Sequence, residues 1–138
     1  MTSTPAATIP VESDALDATD AAIFAALEAN YGGELGNVLG LYCENCDDLC
    51  QRLQEAAACA HWQEAVRLGL AIGHEADSLG FHRVARVARA LADETYHAGS
   101  GDRLRNDAQM VVFEYERFRL ALMAQFPKLV AQLIGSVA

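Results

Sequence analysis

The sequence predicts an all-α protein, an antiparallel up-and-down four-helix bundle with an additional short N-terminal helix. Apolar residues recur at helical spacing in every segment, and the two-residue alternation that is typical of strands is absent. Gly and Pro residues fall at segment ends, and the links between segments are short, which favours antiparallel neighbours. With 138 residues, 52% of them hydrophobic, the chain has material for a single core. We expect one helical domain over residues 16–138, preceded by a disordered segment over residues 1–15.

The first two helices are predicted from their apolar residues. Phe24 and Leu27 belong to a short helix that ends near residues 30–33, where two glycines follow each other. A long helix begins at Glu34 and keeps one apolar face for about five turns. An alanine-rich link over residues 56–61 is expected to follow it.

The next two helices are separated by a Leu-Gly break. The third helix is predicted from Trp62 towards Ser78, and Gly80 is expected to stop it. Phe81 opens the fourth helix, which ends before the Gly-rich and Ser-rich loop at residues 97–101.

The last segment is a long amphipathic helix. It runs from about Asp102 to Phe126 with apolar residues at helical spacing. Pro127 is expected to kink or restart the helix before the apolar residues 129–134.

Charge and motifs exclude several classes of function. The formal net charge of −9 opposes binding to nucleic acid or to anionic lipid. The N-terminus lacks the features of a secretory leader, and no window approaches the roughly 18 apolar residues of a membrane span, which predicts a cytoplasmic protein. The pair His74-Glu75 lacks the second histidine of a metalloprotease motif, because Ser78 stands there. We therefore expect neither enzymatic activity nor a cofactor.

The cysteines are spaced C-x2-C-x3-C-x8-C, at Cys43, Cys46, Cys50 and Cys59. The first three share one helix face with leucines, so we expect buried thiols and no metal. The four histidines are interpreted as surface or helix-end residues. A small helical sensor that holds a metal or ligand through cysteines and histidines remains an alternative of another class.

Three stretches together resemble the histidine phosphotransfer (HPt) domain. They are the segment from Tyr42 to Leu53, the opening His61-Trp62-Gln63-Glu64-Ala65 of the third helix, and the Leu79-Gly80 break. The resemblance spans about residues 18–125. It implies a helical bundle that acts in two-component phosphorelay signalling, with a response-regulator receiver domain or a hybrid sensor kinase as partner. It makes no prediction about the oligomeric state.

The chain departs from the family at the reactive position. In HPt domains the phosphoaccepting histidine lies eight residues after the Trp and ten before the Gly, and here both distances lead to Leu70. The family's lysine and glycine positions fall on Gly73 and His74. Leucine has no nucleophilic nitrogen, so the resemblance implies a docking module that does not transfer phosphate.

A docking surface around Leu70 is the predicted site. It comprises Arg67, Leu70, Gly73, His74, Asp77, Phe81, Arg83 and Arg86. The alternative is an active relay in which His74 is the displaced phosphoacceptor, about 6 Å along the helix from Leu70. Glu75 and Asp77 flank His74 and would repel phosphoryl oxygens.

Overall fold

The computed structural model describes residues 18–126, which form α-helices and one 3-10 turn and contain no strand. The prediction of an all-α fold is confirmed for these residues. The elements are α1 (Ala18–Tyr31), a 3-10 turn (Gly32–Glu34), α2 (Leu35–Ala58), α3 (Trp62–Ser78), α4 (His82–Asp93) and α5 (Gly101–Gln125). The predictions for residues 1–15, for Pro127 and for residues 129–134 lie outside the described residues.

The helix ends follow local sequence signals. α2 continues through Ala56–Ala58, which the sequence analysis assigned to a link, because alanine has the highest helix propensity. The link itself is shorter and contains Ala60 with a φ of 58°. α3 ends at Ser78, and Gly80 follows with a φ of 83°, a conformation that glycine adopts without strain.

Helices α2 to α5 each pack on the next helix in the chain, and the last of them packs on the first. α2 packs on α3, α3 on α4, α4 on α5, and α5 again on α2. α1 is attached through buried Phe24, whose ring centroid lies 5.6 Å from that of Phe118 on α5. No helix within residues 18–126 combines the length and the apolar character that a membrane span needs.

Aromatic side chains fill the core between α2, α4 and α5. Phe81 lies in the middle of them, with ring centroids 4.9 Å from Tyr42 and 4.3 Å from Phe118. Tyr115 adds a polar contact, because its hydroxyl donates a hydrogen bond to Asp47 Oδ1 at 2.6 Å. This cluster holds Phe81, the residue that precedes α4, against α2 and α5.

α3 and α4 approach each other closely at two glycines. A β-carbon on Gly69 would lie 3.0 Å from Leu91 Cδ2 and 3.3 Å from the carbonyl oxygen of Ala88. A β-carbon on Gly73 would lie 3.6 Å from Ala88 Cβ, which is ordinary van der Waals contact. A methyl group at Gly69 would thus press on Leu91 and on the backbone of α4, whereas Gly73 leaves space for one.

Replacing each of these two glycines by alanine is expected to change the free energy of unfolding differently. Gly73→Ala should raise the free energy of unfolding by about 0.5 to 1 kcal/mol, because alanine favours the helix and its methyl group fits. Gly69→Ala should lose that gain, since the methyl group would displace Leu91 or α4. Urea unfolding of both variants tests this. Equal stability of the two, or a more stable Gly69→Ala, would contradict the packing described.

Candidate functional site

Leu70, which the resemblance aligns with the phosphoaccepting position of HPt domains, lies on the outward face of α3. The Leu70 side chain is 54% exposed, although leucine usually lies inside. Arg67 and His74, one turn before and one turn after it, are exposed as well, while Leu68 and Ile72 are fully buried. Leu70 therefore belongs to the surface and not to the core.

Two predicted members of the docking surface lie elsewhere. The Phe81 ring is 1% exposed and packs between Tyr42 and Phe118, so the placement of Phe81 on the surface is corrected. Gly73 is buried against Ala85 and Ala88 of α4. Its position on the α4 side of α3 explains this, because the two helices are in contact there.

Ion pairs lie before and after Leu70 along α3. Arg67 donates from Nε to Glu64 Oε1 at 3.0 Å, and Asp77 pairs with Arg89 across the contact between α3 and α4. The Glu64–Arg67 pair is exposed and contributes little to stability, whereas Asp77 in the second pair is half-buried. They leave the apolar Leu70 side chain between charged groups of both signs.

The contact between Glu64 and Arg67 also shifts the pKa of each side chain in the direction that favours its charged form. The hydrogen bond from Arg67 lowers the pKa of Glu64, and the same bond raises the pKa of the Arg67 guanidinium. Both groups are therefore charged at neutral pH. Arg67 presents a partly neutralised cation beside Leu70.

The arginines of α4 differ in their surroundings. Arg83 is half-buried, and its Nε lies 3.7 Å from Glu114 Oε2 on α5. Arg86 is exposed and forms no ion pair within the described part of the chain. Arg86 is thus a cation that an acidic partner can approach.

The cysteines are core residues except for one. Cys43, Cys46 and Cys50 are free and buried in α2, as predicted. Burial raises the pKa of Cys46, and burial with the nearby Asp47 raises that of Cys50 to about 12. These thiols are protonated at neutral pH and are poor nucleophiles or metal ligands. The expectation of a buried thiol is wrong at Cys59, which is exposed because it follows the end of α2.

Among residues 18–126, no three His, Cys, Asp or Glu side chains converge in a way that could hold a metal ion. The histidines are dispersed and exposed, as predicted. They are His61 before α3, His74 within α3, His82 at the start of α4, and His97 in the loop before α5.

Arg89 and Glu64 were not among the predicted site residues. The Glu64–Arg67 pair has the i, i+3 spacing that predicts contact on a helix, so this ion pair could have been predicted from the sequence. The Asp77–Arg89 ion pair could not have been predicted, because the two residues come together only when α3 packs on α4.

Comparison of the chain with protein-family models, with curated proteins and with solved structures gives no match.

Proposed function

We propose that this chain is an HPt-like signalling module that docks a receiver domain or a hybrid sensor kinase without transferring phosphate. The proposal includes an antiparallel arrangement of α2 to α5. The docking surface consists of Arg67, Leu70, His74, Asp77, Arg83 and Arg86. One observation carries the proposal: the half-exposed Leu70 stands where the resemblance assigns the phosphoaccepting imidazole.

The composition of this surface favours protein binding. An exposed leucine gains free energy when a partner covers it, at about 25 cal/mol per Å² of apolar surface removed from water. The charged side chains around it form the polar rim that is typical of protein interfaces. Arg86 and Arg67 give the rim cations that suit an acidic partner.

The same surface is poorly suited to phosphoryl transfer. A leucine side chain offers no nucleophile, and His74 lies about one helical turn away, a displacement of about 6 Å. Transfer depends on positioning, and an error of about 1 Å can cost about 100-fold in rate. The half-buried carboxylates of Glu75 and Asp77 also lie next to His74 in the helix.

Leu70→Asp is expected to weaken binding to a receiver domain by about 1 to 3 kcal/mol, or roughly 5-fold to 150-fold. The substitution removes the apolar contact and places a carboxylate against an acidic partner. Titration calorimetry against purified receiver domains encoded by the same genome measures the effect. The matched control is Leu41→Asp, since Leu41 is 60% exposed on α2.

The control variant is expected to bind like the wild type. If Leu70→Asp bound as tightly as the wild type, or if both variants lost the same affinity, the proposed docking surface would be contradicted. Absence of binding to every receiver domain and kinase tested would remove the proposed function itself.

A further inference from the structure

His74 is exposed on α3, one helical turn after Leu70. Its imidazole forms no ion pair with the rest of the described chain. A stable protein interface covers about 800 Å² on each partner, so a partner centred on Leu70 also covers a side chain one turn away. Histidine is the side chain whose charge ordinarily changes between pH 5 and 8. Protonation of His74 therefore changes the charge of the area that a docked partner covers.

The other charges of α3 and α4 cancel. The two helices contain four arginines and four acidic residues, whereas the whole chain has a net charge of −9. The eight residues are Arg67, Arg83, Arg86, Arg89, Glu64, Glu75, Asp77 and Asp93. These two helices are thus neutral while their histidines are neutral, and a proton on His74 makes them positive next to Leu70.

The charged groups beside His74 come from both helices. On α3, Glu75 follows His74 directly and forms no ion pair within residues 18–126. Asp77, three residues after His74, pairs with Arg89 of α4. The Arg89 side chain passes close by, because a β-carbon on Gly73 would lie 3.6 Å from Arg89 Cγ. The fixed charges next to His74 are thus one carboxylate and one ion pair.

The cations further along this surface are paired, with one exception. Arg67 and Arg52 of α2 both lie against Glu64 in the first turn of α3. Arg86 of α4 forms no ion pair in the described part of the chain. An acidic partner therefore meets one such cation, Arg86, when His74 is neutral and two when His74 is protonated.

We propose that protonation of His74 strengthens docking, so that this chain binds an acidic partner more tightly as the pH falls from 8 to 6. This pH dependence rests on the docking function proposed for the Leu70 surface. Carboxylates of the partner stay ionised at pH 6 and attract the protonated imidazole, and the exclusion of water from the interface strengthens the attraction. By linkage, the complex then holds the proton more tightly than the free chain does, so affinity rises as the pH falls.

Titration calorimetry at pH 8 and at pH 6, against the same purified receiver domains that test docking, measures the effect. His74→Gln stays polar and neutral at both pH values, and comparing it with the wild type at one pH cancels the titration of the partner's own groups. The two are expected to bind equally at pH 8. At pH 6 the wild type should bind about threefold to sixfold more tightly than His74→Gln.

Two further variants sharpen the comparison. His74→Lys is charged at both pH values, so at pH 8 it should bind at least about threefold more tightly than the wild type. His82→Gln is the matched control, because His82 is exposed at the start of α4 and lines a groove with Leu27 and Tyr31 of α1, outside the docking surface. It should bind like the wild type at both pH values.

The possible results separate this pH dependence from the docking function. Equal affinities of the wild type and His74→Gln at pH 6 would overturn the pH dependence and leave docking intact, as would an equal loss of affinity in His82→Gln. Absence of binding at both pH values would overturn the docking function and the pH dependence with it. Because His74 and His82 are exposed, circular dichroism should show the wild-type helix content in every variant.

Discussion

The combined substitution Leu70→His, Gly73→Lys and His74→Gly is expected to accept a phosphoryl group from a phosphorylated receiver domain, whereas the wild type stays unlabelled. The exposed position of Leu70 presents the new imidazole to a docked partner. A β-carbon at Gly73 meets only ordinary contacts, so the substitution there causes no clash at Cβ. His74→Gly costs less than about 1 kcal/mol of helix propensity, and Gly73→Lys returns at least a comparable amount.

Leu41→His is the matched control for this gain of activity. It places an imidazole at a similarly exposed position on α2, outside the docking surface, and should remain unlabelled. The label on the combined variant should be acid-labile and base-stable, as phosphohistidine is. A folded combined variant that binds the receiver domain but takes up no label would contradict an HPt-like scaffold.

Phe81→Ala is expected to lower the free energy of unfolding by about 3 to 5 kcal/mol. The ring is buried and packs on Tyr42 and Phe118, so its removal leaves a cavity between α2, α4 and α5. That loss is a large fraction of the stability of a small domain. Denaturant unfolding followed by circular dichroism measures it.

Leu41→Ala, a truncation at an exposed site, should change the unfolding free energy by less than about 0.5 kcal/mol. If Phe81→Ala were as mild, Phe81 would not be a core residue. The sequence-based prediction that Phe81 belongs to the docking surface would then be supported again.

The all-α fold and most helix ends were predictable because they depend on local signals. Apolar spacing defines the helices, and Gly80 stops α3 because glycine adopts its positive φ without strain. The boundary at Ala56–Ala58 was missed, since alanines between two helices are compatible with a link or with continued helix.

The site was harder to predict because it depends on tertiary packing. Leu70 is apolar, and its exposure could be expected only from the resemblance, because the packing of α3 is what places its side chain outside. Phe81 follows the Leu-Gly break, where its direction is set by Tyr42 and Phe118 from distant parts of the chain. The Asp77–Arg89 pair likewise requires α3 and α4 to be in contact.

The most direct test of docking without transfer is to incubate wild-type protein with a phosphorylated receiver domain that binds it. We expect a complex and no label on this chain, because Leu70 has no nucleophile and His74 is displaced by about one turn. An acid-labile, base-stable label that disappears in His74→Ala would contradict this account and establish His74 as the phosphoacceptor of an active relay.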